Sequence, residues 1–190
     1  GGCPVRREAG YLRVVGHSEV VTVVTDPETF SSGVSRFLQV PNGLDGEEHA
    51  AFRAVIDRFF TAEALAELEP RLRDVARRIV AGLPRGEVTD VVGGMGTRYA
   101  VQAMLAWLGW EPDLEEELVE WVADNAAATR SGEIERTRAV AEHFDEIIVG
   151  VLRPRLERLD EPARDVTDQL LRQQVQGRSL QHPELVSILR

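Results

Sequence analysis

Cysteine is almost missing from this chain: Cys3 is the only one in 190 residues. A single thiol excludes an intrachain disulfide and a cysteine-built metal cluster. In the polar stretch Cys3-Pro4 it reads as a free surface thiol. Basic charge is also scarce. The 22 basic residues face 32 acidic ones, giving a net charge of −10, and no basic run interrupts the chain, so nucleic acid is excluded as an expected partner. No apolar run approaches the length of a membrane span, and no signal-peptide pattern opens the sequence. The expectation is a cytoplasmic protein that does not enter a membrane. Aromatic residues are few, at 6%, and internal repeats and low-complexity segments are absent. Gly93-Gly94-Met95-Gly96 has neither the Walker spacing nor the dinucleotide fingerprint, so it reads as a flexible joint rather than a phosphate cradle.

What is present is an ordinary globular composition, 43% hydrophobic, long enough for one or two domains and a sizeable core. Helical periodicity dominates. Tyr11–Val15 is rich in strand formers and reads as a strand. Val20, Val23 and Val24 then fall at helical spacing after Ser18, a candidate cap. His17 between them reads as a surface turn residue. Leu65, Leu68, Leu72, Val75, Ile79 and Leu83 mark a long amphipathic helix, which Pro70 should kink or begin. Glu87–Val92 is a candidate second strand. Tyr99–Trp107 is an apolar helix. Asp113 can cap the next one, through Leu114, Leu118, Trp121 and Val122, with Glu115, Glu116 and Glu117 as a solvated first turn. The chain is expected to leave that helix over 125–132. A long helix follows over 134–159, bent at Pro154, with His143 at its edge. A linker spans 160–165, a helix runs over 166–176 to Gly177, and another opens at His182 with Pro183 in its first turn.

One stretch stands apart. Asp45 can cap a helix, with Glu48 reaching back, and Phe52, Val55, Ile56 and Phe59 form its apolar stripe. His49 and Arg53 are four residues apart, one above the other on the same face. An imidazole and a guanidinium so placed make a two-pronged donor for a carboxylate or phosphate. A solvated face, with Arg53 pairing to Asp57, is the plainer reading of the same spacing. Upstream, 31–44 reads as a loop carrying Val34, Phe37, Leu38 and Val40, and an apolar loop needs something to cover. Phe37 and Leu38 could equally plug the core.

The order Asp26-Pro27-Glu28-Thr29-Phe30-Ser31-Ser32, then Asp45 to Arg53, then Phe59-Phe60-Thr61 and Leu68-Glu69-Pro70-Arg71-Leu72-Arg73 resembles the bacterial soluble cytochromes P-450, which are haem-thiolate monooxygenases. The resemblance runs over the whole chain but over only the first half of a family member. The family writes Asp-Pro-Pro-Glu-His where this chain has Gly46 and Glu47 in place of both prolines.

The resemblance implies a mainly α fold with short β-strands near the N-terminus, the N-terminal portion of the cytochrome P-450 fold from helix B to the start of helix I. Residues 1–190 would then be the N-terminal part of a single domain. It also implies that His49 and Arg53 bind the propionates of haem b. Phe37, Leu38 and Val40 would roof the substrate pocket, and Ala126 and Ala127 would lie in its lid. The parent protein would insert one oxygen atom into a small apolar substrate, using reducing equivalents from NAD(P)H through a ferredoxin and ferredoxin-reductase type partner. The family's axial cysteine sits in a Phe-x-x-Gly-x-x-x-Cys-x-Gly loop. Nothing around Cys3 resembles that loop, so no metal ligand is expected in this chain, and the 190 residues alone are expected to be inactive. Two readings from other classes remain: a non-catalytic helical module that binds a small hydrophobic ligand, and an acidic helical interaction protein.

Overall fold

The computed structural model describes residues 3–35 and 37–190. The chain divides into two compact units, Gly1–Arg53 and Ala54–Arg190.

The first unit opens with an antiparallel hairpin of β1 (Val5–Glu8) and β2 (Tyr11–Val14), with Val5 opposite Val14 and Glu8 opposite Tyr11. β2 is the strand expected from Tyr11–Val15. Its partner lies in Val5-Arg6-Arg7-Glu8, where charge hides the alternation. Helix α1 (His17–Thr25) begins two residues earlier than the Ser18 cap predicts, with Gly16 in the cap position. The Ser18 hydroxyl donates instead to Glu19 (2.9 Å). A loop then leads to α2 (Gly46–Asp57), and the boundary between the two units falls inside this helix.

The second unit is a helical assembly. After a 3₁₀ turn at Arg58–Phe60, α3 (Ala62–Ala81) runs unbroken through Pro70, which is therefore not its start. Thr61 caps it by accepting from the Ala64 amide (3.2 Å). The strand expected over 87–92 does not form. Nothing there offers an edge to pair with, and Asp90 turns the chain instead: its carboxylate accepts from Val92 N (3.0 Å) and its carbonyl from Gly94 N (2.9 Å). The glycine-rich joint is likewise no loose loop. Val92–Gly96 is a π-helical turn that leads directly into α4 (Thr97–Leu108). Gly93 lies in that turn where a Cβ would come 2.7 Å from the Asp90 carboxylate.

Pro112–Leu114 forms a 3₁₀ turn before α5 (Glu115–Ser131), so Asp113 is not its cap. The acidic first turn is not simply solvated either. Arg98 of α4 donates to Glu115 (3.0 Å) and Glu116 (2.7 Å), and Gln102 to Glu115 (2.8 Å), tying α4 to α5. This helix does not end at Asp124 but continues to Ser131, where Gly132 stops it in the left-handed region (φ 70). Alanines favour helix, and no breaker occurs before that glycine. Helix α6 (Ile134–Leu156) carries Pro154 in its last turn. Trp121 of α5 stacks on Phe144 of α6, ring centroids 4.1 Å apart, and donates to Val140 O (2.9 Å).

The expected helix over 166–176 is shorter. Helix α7 (Val166–Leu171) stops, and β3 (Gln174–Val175) and β4 (Arg178–Ser179) make a second hairpin. Its two turn residues, Gln176 and Gly177, both have positive φ (50 and 79), as a two-residue hairpin loop requires. Helix α8 (His182–Leu189) begins with Pro183 in its first turn and a capping box between Gln181 and Glu184. The core of this unit includes Val75, Val101, Leu105, Ile148, Leu152 and Leu170.

Candidate functional site

Helix α2 carries the two residues singled out above. It enters through Gly46 with φ 56, a conformation open to glycine and closed to proline, whose ring fixes φ near −65°. The departure from the family's double proline is thus built into the backbone. Phe52, Val55 and Phe59 are buried (2%, 6% and 7% exposed). Alongside that stripe His49 and Arg53 are partly buried, whereas Glu47, Glu48 and Ala50 are exposed. One helical turn separates the imidazole from the guanidinium, so both present donors on the same face.

Asp45 precedes the helix, but its carboxylate serves the preceding loop. It accepts from Ser31 Oγ (2.6 Å) and from Ser32 N (3.0 Å). The Ser31 hydrogen bond and then the Ser32 amide hold its pKa below the usual carboxylate value, and the nearby His49 charge adds to this. The Phe-Ser-Ser turn and the start of α2 are therefore pinned together by one side chain.

The candidate pocket residues differ among themselves. Phe37 and Leu38 are exposed (58% and 45%), so they do not plug the core, whereas Val40 is buried (4%). Ala126 and Ala127 are partly buried within α5 rather than beyond its end, next to the fully buried Ala128. Cys3 is an exposed free thiol. Among the described residues no group of three or more His, Cys, Asp or Glu side chains could hold a metal ion.

Sequence reasoning missed a buried ionic cluster in the second unit. Arg155 (6% exposed) donates to Asp165 (3.0 Å) and lies 3.3 Å from Asp168 (1% exposed), which Arg158 also approaches at 3.3 Å. Asp165 caps α7 by accepting from Asp168 N (2.7 Å). Beside them Trp110 donates to Thr167 (2.9 Å), whose hydroxyl donates to Leu108 O (2.7 Å). The signal available in the sequence was two matched pairs, each three residues apart: Arg155 with Arg158, and Asp165 with Asp168. Burial of Asp168 is the largest single influence on its carboxyl and pushes its pKa up. The Arg164 amide, the Arg158 hydrogen bond and the charges of Arg158 and Arg155 together outweigh it and hold the pKa below the usual value.

No family model matches the chain. Individual relatives do. It is 30% identical over 186 residues to the erythromycin C-12 hydroxylase of Saccharopolyspora erythraea, across 92% of this chain and 46% of that protein. It is 25% identical over 186 residues to the pulcherriminic acid synthase of Bacillus subtilis, across 91% and 45%. Among solved structures, the open cytochrome P450 EryK from S. erythraea superposes with a TM-score of 0.82 at 28% identity, over 98% of this chain and 49% of that one. Ligand-free cytochrome P450 TbtJ1 gives 0.81 at 23% identity over 98% and 49%, a likeness of fold. The chain spans about half the length of the curated relatives it matches. By sequence and by fold together, the chain is similar to bacterial cytochromes P450 over about half of their length and matches the N-terminal part of that fold.

Proposed function

We propose that this chain forms the N-terminal part of a single-domain haem-thiolate monooxygenase and that His49 and Arg53 hold the haem carboxylates. The observation that carries this reading is their placement: two partly buried donors, one turn apart on α2, in a chain related to cytochromes P450. Both side chains suit a pair of carboxylates in charge and donor geometry. A guanidinium gives a two-pronged contact and a protonated or neutral imidazole a single one. Partial burial strengthens each contact relative to open solvent.

The iron side does not fit this chain. Its only thiol, Cys3, is exposed, and we assign the axial thiolate of the proposed enzyme to none of these 190 residues. When bound, haem b supplies the activation of dioxygen that places one oxygen atom in a substrate and releases the other as water. This chain's share is to orient and to shield. We assign Phe37 and Leu38, exposed on the loop before α2, to contact with an apolar substrate, with the buried Val40 anchoring their loop. Ala126 and Ala127 keep a small-residue face on α5, which we assign to the lid. Reducing equivalents would come from NAD(P)H through a ferredoxin-type partner, in the cytoplasm. No helix among the described residues is long and apolar enough to cross a membrane.

The test is the spectrum of the complete protein, reduced and exposed to carbon monoxide. A red-shifted Soret band, the signature of thiolate ligation, is the expected result. A protein that takes up no haem, or takes it up without that shift, would overturn the assignment and favour a non-catalytic ligand-binding module.

A further inference from the structure

All 22 basic residues of this chain are arginine; lysine does not occur. In a chain of net charge −10, three of those arginines line a single cleft of about 280 Å³ in the second unit: Arg58, Arg71 and Arg164, together with Trp107. Two carboxylates also line it, Glu67 and Asp165. Asp165 is already committed, to Arg155 (3.0 Å) and to the Asp168 amide.

The guanidiniums are less well matched. Arg58 donates to Gln173 Oε1, a neutral acceptor, so its charge is uncompensated there. The Arg71 guanidinium has no hydrogen-bond partner among the described residues, and both residues are exposed to solvent. Arg164 is paired outside the lining, with Glu161. Of the three tryptophans, Trp110 and Trp121 donate their indole N–H to acceptors at 2.9 Å. The Trp107 N–H has no acceptor among the described residues, although its ring is packed 4.9 Å from Phe60. The cleft thus gathers donors and positive charge with only Glu67 left to answer them. Guanidinium is the side chain best shaped for bidentate binding of oxyanions and stacks on aromatic faces. A cleft of this size and lining suits a compact anion.

We infer that this cleft, formed by the 3₁₀ turn after α2, by α3, by the end of α4 and by the start of α7, binds a small polyanion carrying phosphate or carboxylate oxygens. The inference is independent of how α2 is used. It is tested by isothermal titration of the complete protein with pyrophosphate and, separately, with citrate, each at matched ionic strength against chloride. One saturable site is expected, at least ten-fold weaker in Arg71→Gln and in Arg58→Gln and unchanged in Arg85→Gln, an exposed arginine outside the cleft. Binding of pyrophosphate alone would identify a phosphate ligand, and binding of citrate alone a carboxylate. Thermal midpoints of the variants confirm that they are folded. Absence of saturable binding for both anions, or equal weakening in Arg71→Gln and Arg85→Gln, would overturn it.

Discussion

Asp168 shows what a single side chain contributes here. It is 1% exposed and faces Arg155 and Arg158. Replacing it with Asn keeps the shape and removes the charge, leaving Arg158 without its carboxylate and Arg155 with Asp165 alone. Breaking a buried pair in this way costs about 3–5 kcal/mol, so denaturant unfolding of Asp168→Asn should show a loss of that order. A loss under about 1 kcal/mol would mean that the cluster is solvated. The pH dependence follows from the direction of the shift. The folded pKa lies below the unfolded value of about 3.9, so the stabilisation is complete above about pH 5 and is lost as pH falls through the folded pKa. Wild type should therefore lose stability more steeply on acidification than Asp168→Asn. Parallel acid profiles would contradict this. Neither the cluster nor the Trp110–Thr167–Leu108 relay was legible in the sequence. Arg155 and Asp168 flank an exposed linker, and their burial comes from the packing of α6 against α7, which spacing does not show.

At the scale of elements, two helix-ending glycines make a matched comparison. Gly109 ends α4 with φ 74 and Gly132 ends α5 with φ 70. A Cβ on Gly132 would meet nothing within 4 Å, whereas one on Gly109 would lie 2.1 Å from Asp165 Cβ. Gly132→Ala should cost about 1–2 kcal/mol, the left-handed strain alone. Gly109→Ala must also displace Asp165 from Arg155 and should cost about 3 kcal/mol or more. Equal shifts in thermal unfolding would refute the close approach. Thr61→Ala should cost about 1 kcal/mol through loss of the α3 cap, read from the same measurement. Period and caps made α3, α4, α6 and α8 legible in the sequence. The element errors share a cause. Val-rich 87–92 has strand propensity but no partner edge, and propensity yields to context. A run of small residues resembles a loop in the sequence, but alanine is the best helix former, and α5 therefore continues to Ser131. The second hairpin was missed because its strands are two residues long and one of its turn residues is a glutamine.

For the whole molecule, the mainly α fold was readable from the 3.6-residue stripes, and the likeness to cytochromes P450 from the order of the motifs along the chain. His49 and Arg53 were readable as a shared face, since helical spacing alone puts them there. The environments of Phe37, Leu38 and Val40 were not readable, because burial within a loop has no period. The 190 residues by themselves should give no thiolate signature with haem and carbon monoxide, since their one thiol is exposed. A red-shifted Soret band from this chain that disappears in Cys3→Ala would show otherwise. The most direct test of the α2 clamp is the rate at which the complete protein loses haem to a haem-free acceptor, compared for wild type, His49→Ala and Arg53→Ala. A charge-assisted hydrogen bond is worth about 1.5–3 kcal/mol, so Arg53→Ala should lose haem roughly ten-fold faster or more, and His49→Ala faster by a smaller factor. Both variants should keep the wild-type carbon monoxide spectrum, because the clamp does not touch the iron. Haem loss at the wild-type rate in both variants would contradict the assignment of α2 as the carboxylate clamp.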